Sequence, residues 1–151
     1  MSVSRRTFIA TSGAGAAALF PSNDAGGYTA TEIQARVAED KLTGVSKWDL
    51  DTPALCVDLD ALERNISTMQ TRLRAANVAS RPHGKTHKCP AIAKLQLAAG
   101  SIGICAGKLC EAEVFSANGI GPILMTTSNV SPAKIRRAMA LRRSNPQFVQ
   151  A

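Results

Sequence analysis

The sequence predicts an α/β fold in which parallel strands alternate with helices. Three observations carry that expectation. Short apolar runs such as residues 102–106 and 123–126 recur at intervals of about twenty residues, and segments with helical apolar spacing separate them. The connections between them are short, and repeated strand–helix units with short links imply a parallel sheet with right-handed crossovers. An open doubly wound sheet and a barrel both satisfy this pattern, and periodicity does not choose between them. With 151 residues, 45% of them apolar, the chain suffices for one domain with a real core.

The folded part is expected to begin near Asp51-Thr52-Pro53, and residues 54–57 form a short apolar run that reads as a strand. Asp60 then stands as a helix N-cap with Glu63 three residues later, the capping-box relation. Leu62, Ile66, Met69 and Leu73 recur at helical spacing, which predicts an amphipathic helix over 61–76 that stops at Asn77. Residues 78–83 read as a strand. The next helix runs over 90–99, with Pro90 in its first turn and Gly100 behind it. A strand over 102–106, a helix over 109–118 ending at Gly119, and a strand over 123–126 follow. Ser131-Pro132 opens a helix through Arg142, and 147–149 begins another strand. Four parallel strands from residue 78 onward are about half of the eight that close a barrel of ~250 residues. The chain is therefore expected to be part of a longer polypeptide.

The N-terminus reads as an export signal. Ser4-Arg5-Arg6-Thr7-Phe8-Ile9 precedes a mild apolar run from Ala10 to Phe20, too short to span a membrane. The paired arginines followed by Thr-Phe-Ile resemble a twin-arginine signal. This predicts a signal peptide over 1–25, a linker over 26–50 containing one short helix, and the folded part over 51–151. Its partner would be the twin-arginine export machinery, its destination the periplasm or exterior. The net charge of +7, from 18 Lys and Arg against 11 Asp and Glu, is not one stripe: two arginines lie in the N-terminal segment and five basic residues lie between Lys134 and Arg143. One Trp, one Tyr and four Phe, none interleaved with the basic clusters, do not make a stacking platform for single-stranded nucleic acid. Cys56, Cys89, Cys105 and Cys110 form no C-x-x-C, and free buried thiols are the expected state.

The segment Arg81-Pro82-His83-Gly84-Lys85-Thr86-His87-Lys88 carries the chemistry. It sets a lysine among other cations, and neighbouring positive charge disfavours a lysine's ammonium form, as a Schiff-base lysine requires. On a strand, residues two apart share a side, so Arg81, His83, Lys85 and His87 are expected to line one surface. His83, His87 and Cys89 are metal-ligand types in a short span, but an extended strand before Pro90 does not make them converge, and no metal site is assigned. Glu111 and Glu113 read as helix surface or capping charges. Thr126-Thr127-Ser128-Asn129, ahead of Ser131, reads as a structural loop.

Asp51-Thr52-Pro53-Ala54-Leu55 and Asp58-Leu59-Asp60-Ala61-Leu62-Glu63-Arg64-Asn65-Ile66 resemble the start of the D-threonine aldolase and D-serine dehydratase family. The Arg81–Lys88 segment looks like that family's cofactor-lysine motif, and Leu95-Gln96-Leu97-Ala98-Ala99-Gly100 with Glu111-Ala112-Glu113-Val114 extends the likeness over roughly residues 51–130. These are pyridoxal-phosphate enzymes that share the alanine-racemase N-terminal barrel. The resemblance implies a partial (β/α)8 TIM-type barrel, about its first half, with Lys85 at the carboxyl end of a strand binding pyridoxal phosphate as a Schiff base. Sharing Lys85's side of the strand, His83 is expected either to contact the cofactor ring or move protons, or to be a packed, hydrogen-bonded histidine; His87 and Arg81 carry the same alternatives, or add positive potential for the phosphate. The resemblance places a divalent metal, zinc or manganese, in a C-terminal β-domain beyond these residues. The activity implied is a lyase for D-configured 3-hydroxy amino acids, splitting D-threonine to glycine and acetaldehyde. Dehydration of D-serine, amino-acid racemisation and a non-catalytic pyridoxal-phosphate carrier are the alternatives, and a homodimer is compatible with each.

Overall fold

The computed structural model describes residues 27–151, so the signal-peptide reading of 1–25 lies outside the described residues. The chain divides into two compact units, one ending at Leu62 and one from Glu63 to Ala151.

In the first unit, α1 spans Ala30–Ala38 and opens on Thr29. The Thr29 hydroxyl accepts the Glu32 amide while the Glu32 carboxylate accepts the Thr29 amide at 2.7 Å, so two otherwise unpaired donors are satisfied reciprocally. Ser46 and Asp49 repeat the device around a single 3₁₀ turn at Lys47–Asp49. Tyr28 makes one parallel bridge to Leu50, and Arg36 stacks over its ring at 4.1 Å. Residues 54–57 correct the sequence reading: they form no strand, because no described segment supplies a ladder partner, and Leu55 is 96% exposed. The helix that follows, α2, spans Leu59–Ala75. Its start is also corrected. Asp58, not Asp60, caps it, with Oδ1 accepting the Ala61 amide at 2.9 Å. An N-cap side chain reaches the third helical amide, and from Asp58 that amide is Ala61.

In the second unit, α3 spans Pro90–Ala98, β1 Ile104–Ala106, α4 Leu109–Ala117, β2 Ile123–Met125, α5 Pro132–Ser144 and β3 Phe148–Gln150. The strands pair in parallel in the order β1-β2-β3, with Ile104 opposite Ile123 and Ile123 opposite Phe148. Parallel strands alternating with helices are the arrangement of a partial TIM-type barrel. The predicted strand over 78–83 shrinks to one bridge, His83 to Cys105. Its Ser80 and Pro82 carbonyls accept the Ile102 and Cys105 amides, but proline has no N–H to return.

The side-chain period of two sorts the sheet. Ile104, Ala106, Ile123, Met125 and Phe148 face the helices and pack with Leu109, Phe115, Ile120, Ala138 and Leu141 as one core. Phe115, Ile104, Ile120 and Ile123 are its largest fully buried side chains. Cys105, Leu124 and Val149 share a register level, and the bridge puts His83 on that level too. That level faces away from the helices, the interior side of a barrel. Below it, Gln70 of α2 donates to both Ser80 and Ser101 at 2.7 Å and fastens the helix to the amino ends of the strands. Gly100, at φ +117°, closes α3 in a conformation that a Cβ would strain.

Candidate active site

Why Lys85 stands where it does follows from its neighbours. Residues 81–83 run extended beside β1, and a 3₁₀ turn at Gly84–Thr86 then lifts the chain off the sheet. Gly84 is buried against Phe115: an added Cβ would lie 2.5 Å from two ring carbons, so only glycine lets the turn sit there. Lys85 is exposed at the carboxyl end of the β1 level and makes no ion pair among the described residues. Gly107, just past β1, leaves room beside it. An alanine methyl at Gly107 would stand 3.7 Å from Lys85 Cδ, 3.4 Å from His83 Cε1 and 3.7 Å from a Glu111 oxygen.

His83 is half-buried and engaged at both ring nitrogens. Its Nδ1 accepts the Lys85 amide at 3.3 Å, and its Nε2 lies 3.2 Å from the Thr126 hydroxyl. Thr126 in turn donates to the Ala106 carbonyl at 3.3 Å. Glu111, 9% exposed, accepts the Gly107 and Lys108 amides at 3.0 and 3.2 Å. It caps α4 and holds the Gly107 loop, which agrees with its reading as a capping charge. Glu113 pairs with Arg137 on α5. The pair lifts the Arg137 pKa further, chiefly through its hydrogen bonds to Glu113.

The remaining motif residues do not gather around Lys85. The 3₁₀ turn ends the strand alternation at His83, so the four cations share no surface. Arg81 lies toward the amino ends of the strands, its guanidinium 3.5 Å from the Pro122 carbonyl and filling the space that Gly103 leaves open. His87 turns inward, edge-on to Phe115 at 6.4 Å, with Nδ1 accepting the Cys89 amide at 3.0 Å. Burial lowers its pKa, and the Gln96 side chain offsets part of that shift. The Cys89 N–H directed at Nδ1 favours the unprotonated ring as well, because a protonated Nδ1 cannot accept. Among the described residues, no three His, Cys, Asp or Glu side chains assemble into a metal site.

All four cysteines are free, but only Cys105 is buried; Cys56 and Cys110 are exposed and Cys89 lies between, which corrects the expectation of buried thiols. Among the described residues, no sheet covers Cys56. Burial raises the Cys105 thiol pKa, with Arg81 opposing. Sequence reasoning passed over Gly107 and read Thr126 as part of a structural loop. Both follow directly on the carboxyl ends of strands, the position where barrel sites are built, and that was the available signal.

Lys85 thus stands exposed, without an ion pair among the described residues, at the carboxyl rim of parallel strands. The chain belongs to the family of the alanine racemase N-terminal domain, which matches residues 57–145. Enzymes of this family depend on pyridoxal phosphate. The chain is 44% identical over 101 residues to 3-hydroxy-D-aspartate aldolase of Paracoccus denitrificans, covering 66% of this chain and 26% of that one. It is 48% identical over 86 residues to D-threonine aldolase of Arthrobacter sp., covering 57% and 23%. A crystal structure of D-threonine aldolase from Filomicrobium marinum superimposes with a TM-score of 0.61 at 46% identity, over 63% of this chain and 26% of that one. The chain thus spans about a quarter of the length of the curated relatives it matches.

Proposed function

We propose that the whole protein is a pyridoxal-phosphate-dependent lyase that cleaves D-configured 3-hydroxy amino acids by retro-aldol reaction. One observation carries the reading: Lys85 stands free on the rim beside the space kept by Gly107. The residues fit the cofactor, since a primary amine without an ion-pair partner is what an aldehyde requires, and Gly107, with no side chain of its own, stands in contact range of the Lys85 and His83 side chains. Bound there, pyridoxal phosphate supplies an electron sink at the substrate's Cα. Lys85 would hold the cofactor, Gly107 would leave it room, and Glu111 would fix the loop that does so. With D-threonine as substrate the products are glycine and acetaldehyde.

Similarity to D-threo-3-hydroxyaspartate dehydratase of Delftia sp. strain HT23, 47% identical over 94 residues, supports a second reading in which the same lysine leads instead to loss of the β-hydroxyl as water. Absorbance and products test both. The full-length protein is expected to show a band near ~420 nm that borohydride removes and Lys85→Ala abolishes. Glycine and aldehyde from D-threonine or D-3-hydroxyaspartate would establish the aldolase, whereas an oxo acid with ammonia would establish the dehydratase. A band without turnover of either would make the protein a cofactor carrier, and no band would end the pyridoxal reading.

The twin-arginine segment Arg5-Arg6-Thr7-Phe8-Ile9 supports export as the protein's route, with the periplasm or the exterior as its place of action.

A further inference from the structure

We propose that His83 is a positioning residue, locked as the neutral Nε2–H tautomer between the Lys85 amide and the Thr126 hydroxyl, and that it sets where Lys85 stands instead of carrying protons. The hydrogen bonds admit one direction. The Lys85 N–H is a donor, so Nδ1 must accept and bears no proton. The ring proton of the neutral imidazole is then on Nε2 and donates to Thr126 Oγ1. Thr126 passes its own hydroxyl hydrogen to the Ala106 carbonyl, which has no other direction to offer. The relay thus runs from the lysine turn through the ring to the last residue of β1 and the residue after β2. It joins three adjacent segments at the rim by side chains, beside the backbone bond from the Thr126 amide to the Ala106 carbonyl. A histidine with both nitrogens committed in this way has no lone pair left for a substrate proton. Moving a proton through Nδ1 would set two N–H groups against each other and release the Lys85 turn.

The role of the turn rests on the cofactor reading of Lys85, but the tautomer does not. In full-length protein labelled with ¹⁵N-histidine and kept free of cofactor, His83 is expected to show an unprotonated Nδ1 and a protonated Nε2. The opposite tautomer, or an imidazolium at neutral pH, would overturn the proposal whatever the cofactor does. Substitution tests the relay itself. Thr126→Val keeps the shape and removes the hydroxyl, and is expected to slow pyridoxal-phosphate loading, followed by the growth of the borohydride-sensitive band, roughly threefold to tenfold, the value of one or two ordinary hydrogen bonds. Thr126→Ser restores the hydroxyl and is expected to recover the wild-type rate. His83→Asn keeps an acceptor near the Nδ1 position, and is expected to hold the cofactor while His83→Ala loosens it. In His83→Asn both limbs of the pH–rate profile are expected to remain. If one limb vanishes, or if Thr126→Val loads like wild type, His83 is not acting as inferred. Absence of the band in wild-type protein would instead remove the cofactor reading and leave the tautomer result standing.

Discussion

Gly84 shows how much a single position decides. Its missing side chain lets the lysine turn rest on Phe115, which is 1% exposed and has no room to move. Gly84→Ala is expected to destabilise the folded protein by about 1–3 kcal/mol through overpacking, read as a lowered urea midpoint. Such a change would also displace Lys85, so cofactor loading should fall with it. His87 supplies a second residue-scale expectation. Its pKa is lower in the folded state than the usual ~6.5 of an unfolded histidine. The unfolded chain therefore binds a proton first as pH falls, so the stabilisation is present above ~6.5 and is lost on acidification below it. Denaturation midpoints at about pH 7.5 and about pH 5.5 should differ more for wild type than for His87→Gln. Equal differences in the two proteins would rule out His87 as the source. At this scale the sequence was legible where chemistry is local: a lysine flanked by histidines stands out in any reading. It was not legible for Arg81 and His87, because whether a side chain shares Lys85's surface depends on where the strand stops.

The elements divide along the same physical line. Helices were readable to within two residues, since apolar spacing, Pro90 and Pro132 at first turns and Gly100 and Gly119 behind helix ends are all local signals. Ser131 caps α5 as expected, its hydroxyl accepting the Lys134 amide at 3.3 Å. Ser131→Ala is expected to cost about 1 kcal/mol, and Ser131→Asp to restore it, in thermal or urea unfolding. Strands were less legible. Residues 54–57 and 78–83 have strand-like composition, yet a strand exists only where a partner returns its hydrogen bonds. The first has none among the described residues, and in the second Pro82 cannot donate. The cap of α2 moved from Asp60 to Asp58 for a related reason, as two aspartates two residues apart offer the same side chain and only the path of the chain selects one.

For the whole molecule, the family and the position of the lysine agree with one another. The helices cover one face of the sheet, and the opposite level carries His83, Cys105, Leu124 and Val149 toward the side on which Lys85 projects beyond the strand ends. No described helix is long and apolar enough to cross a membrane. The proposal of export rests on the N-terminal sequence, and it has a direct test. Replacing Arg5 and Arg6 by lysines keeps the charge and is expected to leave the full-length protein inside the cell, while wild type reaches the periplasm. Equal export of both would remove the twin-arginine reading.

By itself the sequence determined the alternation of helices and parallel strands and the family, because each is written in local spacing and in ordered short motifs. Only the tertiary structure decided which motif residues meet Lys85. It turned His87 into the core, directed Arg81 to the opposite end of the strands, and brought in Gly107 and Thr126 from strands twenty and forty residues away. The reason is geometric: parallel pairing sets residues that are distant in sequence side by side at one rim, and a 3₁₀ turn redirects those that are adjacent.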